Sequence, residues 1–268
     1  MTYLKNAWLY VIAGTFMYFG YSLGVAVAFM AMHPGEPFFM QNGFVAALTG
    51  VPLVAFIIAR RFKRVSIKEE TRMMVAPKFF KNPRTEFIVM SIFCTLSLFV
   101  TSAFVQQLKF AVDPTEAWMF YVNIGIGEEM YWRVLLVSGI TFGFASRDKK
   151  CYALAGLIIF MAVVEAISID LGIRIVVIVI TAMIFIIMTK IGVERQSFLA
   201  NMIAIVVSGI TFSLAHLGVY ADRPDMLLVC GISGAIMAGF FAFTKNPFYN
   251  ITAHMFFNGY SSYFMLFG

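Results

Sequence analysis

Residues 173–191 read IRIVVIVITAMIFIIMTKI, and no charged side chain stands between Arg174 and Lys190. About 18 to 20 apolar residues are what a helix needs to cross a hydrocarbon core, so this stretch predicts a membrane span. The pattern repeats in both directions. Apolar runs bounded by charges or turn residues predict nine spans, at roughly 7–32, 43–59, 87–108, 118–146, 151–169, 173–191, 198–220, 226–244 and 248–267. His33-Pro34-Gly35, Asp113-Pro114, Arg223-Pro224 and Asn246-Pro247 punctuate them as loops. The fold class expected is therefore all-α, a polytopic transmembrane helix bundle forming one integral membrane domain over residues 1–268.

Composition points the same way. Of 268 residues, 61% are hydrophobic and 13% charged, with a mean hydropathy of +0.86, whereas a soluble domain carries about 25% charged residues. The net charge of +6 would point to nucleic acid in a soluble chain. Here it follows from where the basic residues fall. With the N-terminus in the cytoplasm, sixteen Lys and Arg lie in cytoplasmic segments, nine of them between Arg60 and Arg84, against Lys109, Arg174 and Arg223 outside. That bias is the positive-inside signature, so an N-in, multi-pass topology is expected and no nucleic-acid partner. The basic stretch 60–86 reads as a solvated loop or as an interfacial helix touching anionic headgroups. Cys94, Cys151 and Cys230 form no CxxC pair, so neither a disulfide framework nor a thiolate metal site is expected. Only Lys5 precedes the first apolar run, without a small-residue cleavage signature, and the run is expected to be a retained span.

Ionisable groups in a membrane span are costly, at least about 2.5 kcal/mol near the bilayer centre on insertion scales, so each is a functional candidate. The fourth span holds Glu128, Glu129 and Arg133, the fifth Glu165 with Asp170 near its end, the seventh His216 and the ninth His254. On an α-helix Glu129 and Arg133, four apart, are expected to pair, while Glu128 points about 100° away and stays free. The spacing Phe212-x-x-x-His216 recurs as His254-x-x-x-Asn258, which sets His254 and Asn258 on one helix face. A carboxylate, two imidazoles and an amide could then converge. Phe212 reads as packing, Glu165 as a structural or cavity-facing carboxylate, and Asn123 as a polar bundle contact.

Glu128-Glu129 with Arg133, then Phe212 with His216, then His254 with Asn258 resemble the ordered motifs EExxxR, FxxxH and HxxxN of the CAAX prenyl protease and bacteriocin-processing (CPBP, or Abi) family of intramembrane proteases. The likeness covers about residues 118–262 and leaves 1–117, the N-terminal spans and basic loop, without a signature. The sequence departs from it twice. Val134 follows Arg133 where the family usually has Gly, and Glu128 and His216 are 88 residues apart, which makes about 150–197 an inserted helix pair. The resemblance implies an endopeptidase in which Glu128 activates water as general base, His216 orients it, and His254 and Asn258 stabilise the oxyanion. Glu129 and Arg133 would be structural support. It implies no cofactor, although two His and a carboxylate also describe an open zinc site and zinc stays open. The expected substrate is a membrane-associated peptide or protein, lipidated or not, cut near the cytoplasmic surface. Two other readings compete: a non-proteolytic binding or immunity protein of the Abi type, and a transporter using Glu128, Glu165 and Asp170 as a polar path.

Overall fold

Caps and prolines divide the chain where the sequence places its turns. The structure is a computed structural model that describes residues 38–62, 79–102, 125–146, 148–193, 195 and 197–267. The span expected at 7–32, residues 63–78 of the basic segment and residues 103–124, Asn123 included, lie outside the described residues.

The described residues are helical, in the order α1 (Phe38–Phe62), α2 (Pro83–Ser102), α3 (125–145), α4 (Lys149–Ile167), α5 (Leu171–Ile191), α6 (Phe198–Ala215), the short α7 (Leu217–Tyr220), α8 (Pro224–Thr244) and α9 (Pro247–Phe267). Several begin on a side chain that accepts an otherwise orphaned backbone N–H. Asp148 accepts from Lys150, Asp170 from Ile173 and Ser197 from Ala200, while Asn82 accepts from Arg84 and Asn246 from Phe248. Asp170 thus has a local task at the rim of a helix. Pro224 and Pro247 open α8 and α9, where a missing N–H costs nothing.

Among the described residues, five helices are long and apolar enough to cross a membrane: α2 over Pro83–Val100, α4, α5, α6 and α8. With the family assignment given below, this makes the protein an integral membrane helix bundle. The span expected at 198–220 is not one helix: α6 stops at Ala215, and His216, with ψ near 2°, turns the chain into α7.

α8 lies along α6, α1 along α5, and α4 against α5. Lipid tails are as apolar as leucine, so close packing has to hold such helices together. At the α6–α8 crossing a Cβ on Gly209 would come 2.8 Å from the carbonyl oxygen of Gly231, an approach that only a glycine permits. The α4–α5 pair, expected from the sequence as an insertion, packs into the core, since Ile158, Ile178 and Met188 have no exposed surface. Its two helices are clamped near their turn by Glu165, whose Oε1 accepts from Arg174 Nε at 2.8 Å and Nη2 at 2.6 Å. At one end of the bundle Arg60, Thr189 and Lys245 line a common cleft, and the Lys190 ammonium lies over the Phe62 ring. Three basic residues that the sequence assigns to one membrane face are thereby gathered where α1, α5 and α8 end.

α3 runs through the middle, and of residues 129–137 all but Met130 are buried. After an α-helical start over 125–128, Glu129–Val137 is a π-helix that passes directly into an α-helix at Ser138. Such i→i+5 segments are rare and concentrate at functional sites. α9 crosses the start of α3 and is held against α2 by Phe99 with Phe257 and by Phe87 with Tyr249. The buried Glu86 adds a polar tie. It accepts from the backbone N–H groups of Phe79 and Phe80 and from the Tyr249 hydroxyl at 2.9 Å.

Candidate active site

The site is built where the first turns of α3 meet α9, with α6 and α8 closing two sides. On α9, Asn250, His254 and Asn258 follow one another at four-residue intervals and so share a face. That face runs along residues 125–133 of α3.

Glu129 is the centre of the polar network and has no exposed surface. Its Oε1 lies 2.9 Å from His254 Nδ1. Its Oε2 accepts from Asn250 Nδ2 at 3.2 Å and lies 3.3 Å from Arg133 Nε. Because a carboxylate only accepts, Nδ1 of His254 must carry the hydrogen. The other ring nitrogen, Nε2, stands 3.6 Å from Glu128 Oε2. Each side of the His254 ring therefore faces a carboxylate. The Glu128 and His254 side chains keep 16% and 12% of their surface exposed, so the pair is reachable whereas Glu129 is sealed.

Glu129 does pair with Arg133, but it also holds His254, and Glu128 is not turned away from the group. The π-helical turn accounts for part of this. With more residues per turn than an α-helix, it rotates adjacent side chains through a smaller angle, and two long carboxylates can then approach one imidazole from its two edges.

Arg133 is fully buried, and its contact with Glu129 is an ion pair without hydrogen-bond alignment; none of its three nitrogens has a hydrogen-bond partner among the described residues. A buried guanidinium in that state needs compensation, which Glu129 and an aromatic face supply. Its Cζ lies 4.7 Å from the centroid of the Phe212 ring. Phe212, read from sequence as packing, thus covers the cation. The same ring sits 4.6 Å from the His216 ring, 6.4 Å from the His254 ring and 6.2 Å from Trp132, centroid to centroid.

His216 joins the group through Phe212. Its Nδ1 donates to the Phe212 carbonyl at 2.8 Å, which leaves Nε2 as the outward nitrogen, and its ring stacks on Tyr220. It makes no hydrogen bond to Glu128 or His254 among the described residues. Asn258 lies beside the first turn of α3, where a Cβ on Gly125 would come 3.4 Å from its Nδ2. The structure thus brings Glu128, Glu129, Arg133 and His254 into direct contact, sets His216 behind Phe212 and Asn258 one turn further along α9. Sequence reasoning missed Asn250, buried between Glu129 and the Met237 carbonyl, to which its Nδ2 donates at 2.6 Å. The signal was present, since Asn250 stands four residues before His254 just as Asn258 stands four after it.

Glu165 is outside this group. Among the described residues its Oε1 is held by Arg174, and its Oε2 has no hydrogen-bond partner. No three His, Cys, Asp or Glu side chains among the described residues are placed to share a metal ion.

A family model described as Rce1-like, "Type II CAAX prenyl endopeptidase Rce1-like", matches residues 110–260, more than half of the chain. Neither a curated protein sequence nor a solved structure matched the chain.

Proposed function

We propose, for a chain that belongs to the Rce1-like family of type II CAAX prenyl endopeptidases, that hydrolysis runs through a water activated by Glu128 next to His254. Membership makes the protein an intramembrane endopeptidase; the assignment of roles to residues is our reading. The observation that carries it is the 3.6 Å separation of Glu128 Oε2 from His254 Nε2, with Glu129 fixing the opposite ring nitrogen at 2.9 Å.

In this reading the partly exposed Glu128 takes the proton of the attacking water. His216, through its outward Nε2, orients that water. Asn258 donates to the oxygen that becomes negative as the carbonyl is attacked, and a preorganised donor acts most strongly where water is excluded; His254, its Nδ1–H held by Glu129, turns its bare Nε2 toward the Glu128 side and accepts from the attacking water there. Glu129 holds His254 in one orientation, and Arg133 balances the charge of Glu129. The chemistry as drawn needs no metal. The substrate is a membrane-associated peptide or protein, and prenylated peptides ending in a CAAX sequence are the first to test, because that is the substrate class the family description names. The bond cut lies near the cytoplasmic surface, with the N-terminus on that side. Residues 118–262 form the catalytic core, and the α4–α5 pair braces it.

The test is cleavage of a panel of prenylated and unprenylated peptides by purified protein in nanodiscs, as wild type and Glu128→Gln, with and without a strong chelator. We expect the variant to fold and to lose roughly 10² to 10⁴-fold in rate, and the chelator to leave the wild type active. Activity kept by Glu128→Gln removes the base from the scheme. Activity lost on chelation and restored by zinc would overturn the metal-free mechanism while keeping the protease.

A further inference from the structure

Glu129 has two suitors for the same two oxygens. Arg133 lies four residues along its own helix, and a guanidinium prefers to grip a carboxylate with two parallel N–H bonds. In the structure it does not: the nearest approach is by Nε, at 3.3 Å, and no guanidinium nitrogen is aligned for a hydrogen bond. Oε1 is left to His254 Nδ1. What stands in the way of the fork is Asn250, whose Nδ2 occupies Oε2.

The orientation of the Asn250 amide is determined by its neighbours. Both groups that face its nitrogen, the Met237 carbonyl at 2.6 Å and Glu129 Oε2 at 3.2 Å, can only accept, so the NH₂ must point at them. Its two hydrogens are used, one on α8 and one on α3. The amide oxygen faces no partner among the described residues, so the side chain is held by its donor end alone. Asn250 itself has no exposed surface, which puts it out of reach of any substrate.

We infer that Asn250 is a positioning residue for the reaction: by tying Glu129 Oε2 to the Met237 carbonyl through one amide, it keeps Glu129 Oε1 on His254 Nδ1–H and so keeps His254 Nε2 toward Glu128. The inference rests on the catalytic reading for its consequence in rate, but the tautomer it predicts exists whether or not the protein cleaves anything. Without the amide, Glu129 rotates onto Arg133 and takes both of its N–H groups. His254 Nδ1 then has no acceptor, and its ring proton is free to move to Nε2, the nitrogen that faces Glu128.

The experiment is ¹⁵N NMR of histidine-labelled protein in nanodiscs, in which His254 is picked out from His33 and His216 by a His254→Gln control, together with peptide-cleavage kinetics. Wild type should show His254 protonated at Nδ1. Asn250→Leu, close to isosteric but without a donor, should shift His254 toward the Nε2–H form and lower kcat by about 10- to 100-fold, the usual cost of losing a group that orients a reacting imidazole, with KM little changed. Asn250→Ala gives the same reading if the leucine variant folds poorly. A wild-type spectrum with Nδ1 unprotonated overturns the inference at once, before any variant is made. So does a folded variant whose His254 spectrum is unchanged, or one whose tautomer shifts with kcat intact. Should wild type cleave no peptide in the panel, the catalytic reading loses its support, and the tautomer arm alone still decides whether Asn250 positions His254.

Discussion

Among the described residues of this bundle, Glu129 and Glu165 are carboxylates that expose no side-chain surface. Each also has an arginine. Glu165 meets Arg174 from the neighbouring helix of the same hairpin, with both contacts on one oxygen. Glu129 engages three different groups, Arg133 on its own helix and Asn250 and His254 on α9, and uses both oxygens. A carboxylate inside a membrane protein is therefore not by itself a sign of chemistry. The sign is a carboxylate whose partners come from several elements and include a group able to pass or hold a proton. Glu165 is a clamp near the turn of the α4–α5 hairpin, and with Asp170 serving as the cap of α5 the polar path a transporter would need has lost two of its members to structural tasks.

The contrast can be broken or sharpened by taking each arginine away. Arg133→Ala leaves Glu129 charged and buried with no counter-charge, which should cost about 3 to 5 kcal/mol. It should be seen as a low yield of folded protein and a depressed unfolding midpoint in detergent; a normal midpoint would remove the ion pair from the account. Arg174→Ala should cost less, about 1 to 3 kcal/mol. The Arg174 side chain is 21% exposed, so water can reach the end of the hairpin and replace part of what is lost. An equal or larger loss there would erase the distinction between the two sites. Asp170→Ala, which removes only the cap from Ile173, should cost about 1 kcal/mol, measured as a small shift of the same midpoint with peptide cleavage unaffected.

How far the sequence carries to this picture depends on the range of the interaction. Hydropathy and caps act over one helix, so the helices between 149 and 267 begin and end near where turn residues and charges put them. The side chains that Asp148, Asp170, Ser197 and Asn246 offer to the helix starts are legible from residue type alone. The π-helix over Glu129–Val137 is not. No residue type encodes it, and the segment is packed among α1, α4, α5, α6, α8 and α9. That is also why an α-helical wheel puts Glu128 on a face of its own when both glutamates reach His254. Phe212 was legible as apolar but not as the cover of a buried guanidinium, since that role needs α3 and α6 side by side. The break at His216 was hidden for a similar reason, as residues 198–220 are apolar on both sides of it. Asn250 could have been read from the pattern Asn-x-x-x-His-x-x-x-Asn. An amide inside a membrane span is a quieter signal than a charge.

The central claim is that Glu128, and not any buried glutamate, is the group that acts on water. The most direct test compares Glu128→Gln with Glu165→Gln in the same nanodisc preparation, on one peptide that the wild type cleaves, under single-turnover conditions with folding checked for each. We predict that Glu128→Gln loses roughly 10²-fold or more, as removal of a general base requires, and that Glu165→Gln cleaves at close to the wild-type rate. Equal losses in the two variants, or cleavage by folded Glu128→Gln at the wild-type rate, would contradict it.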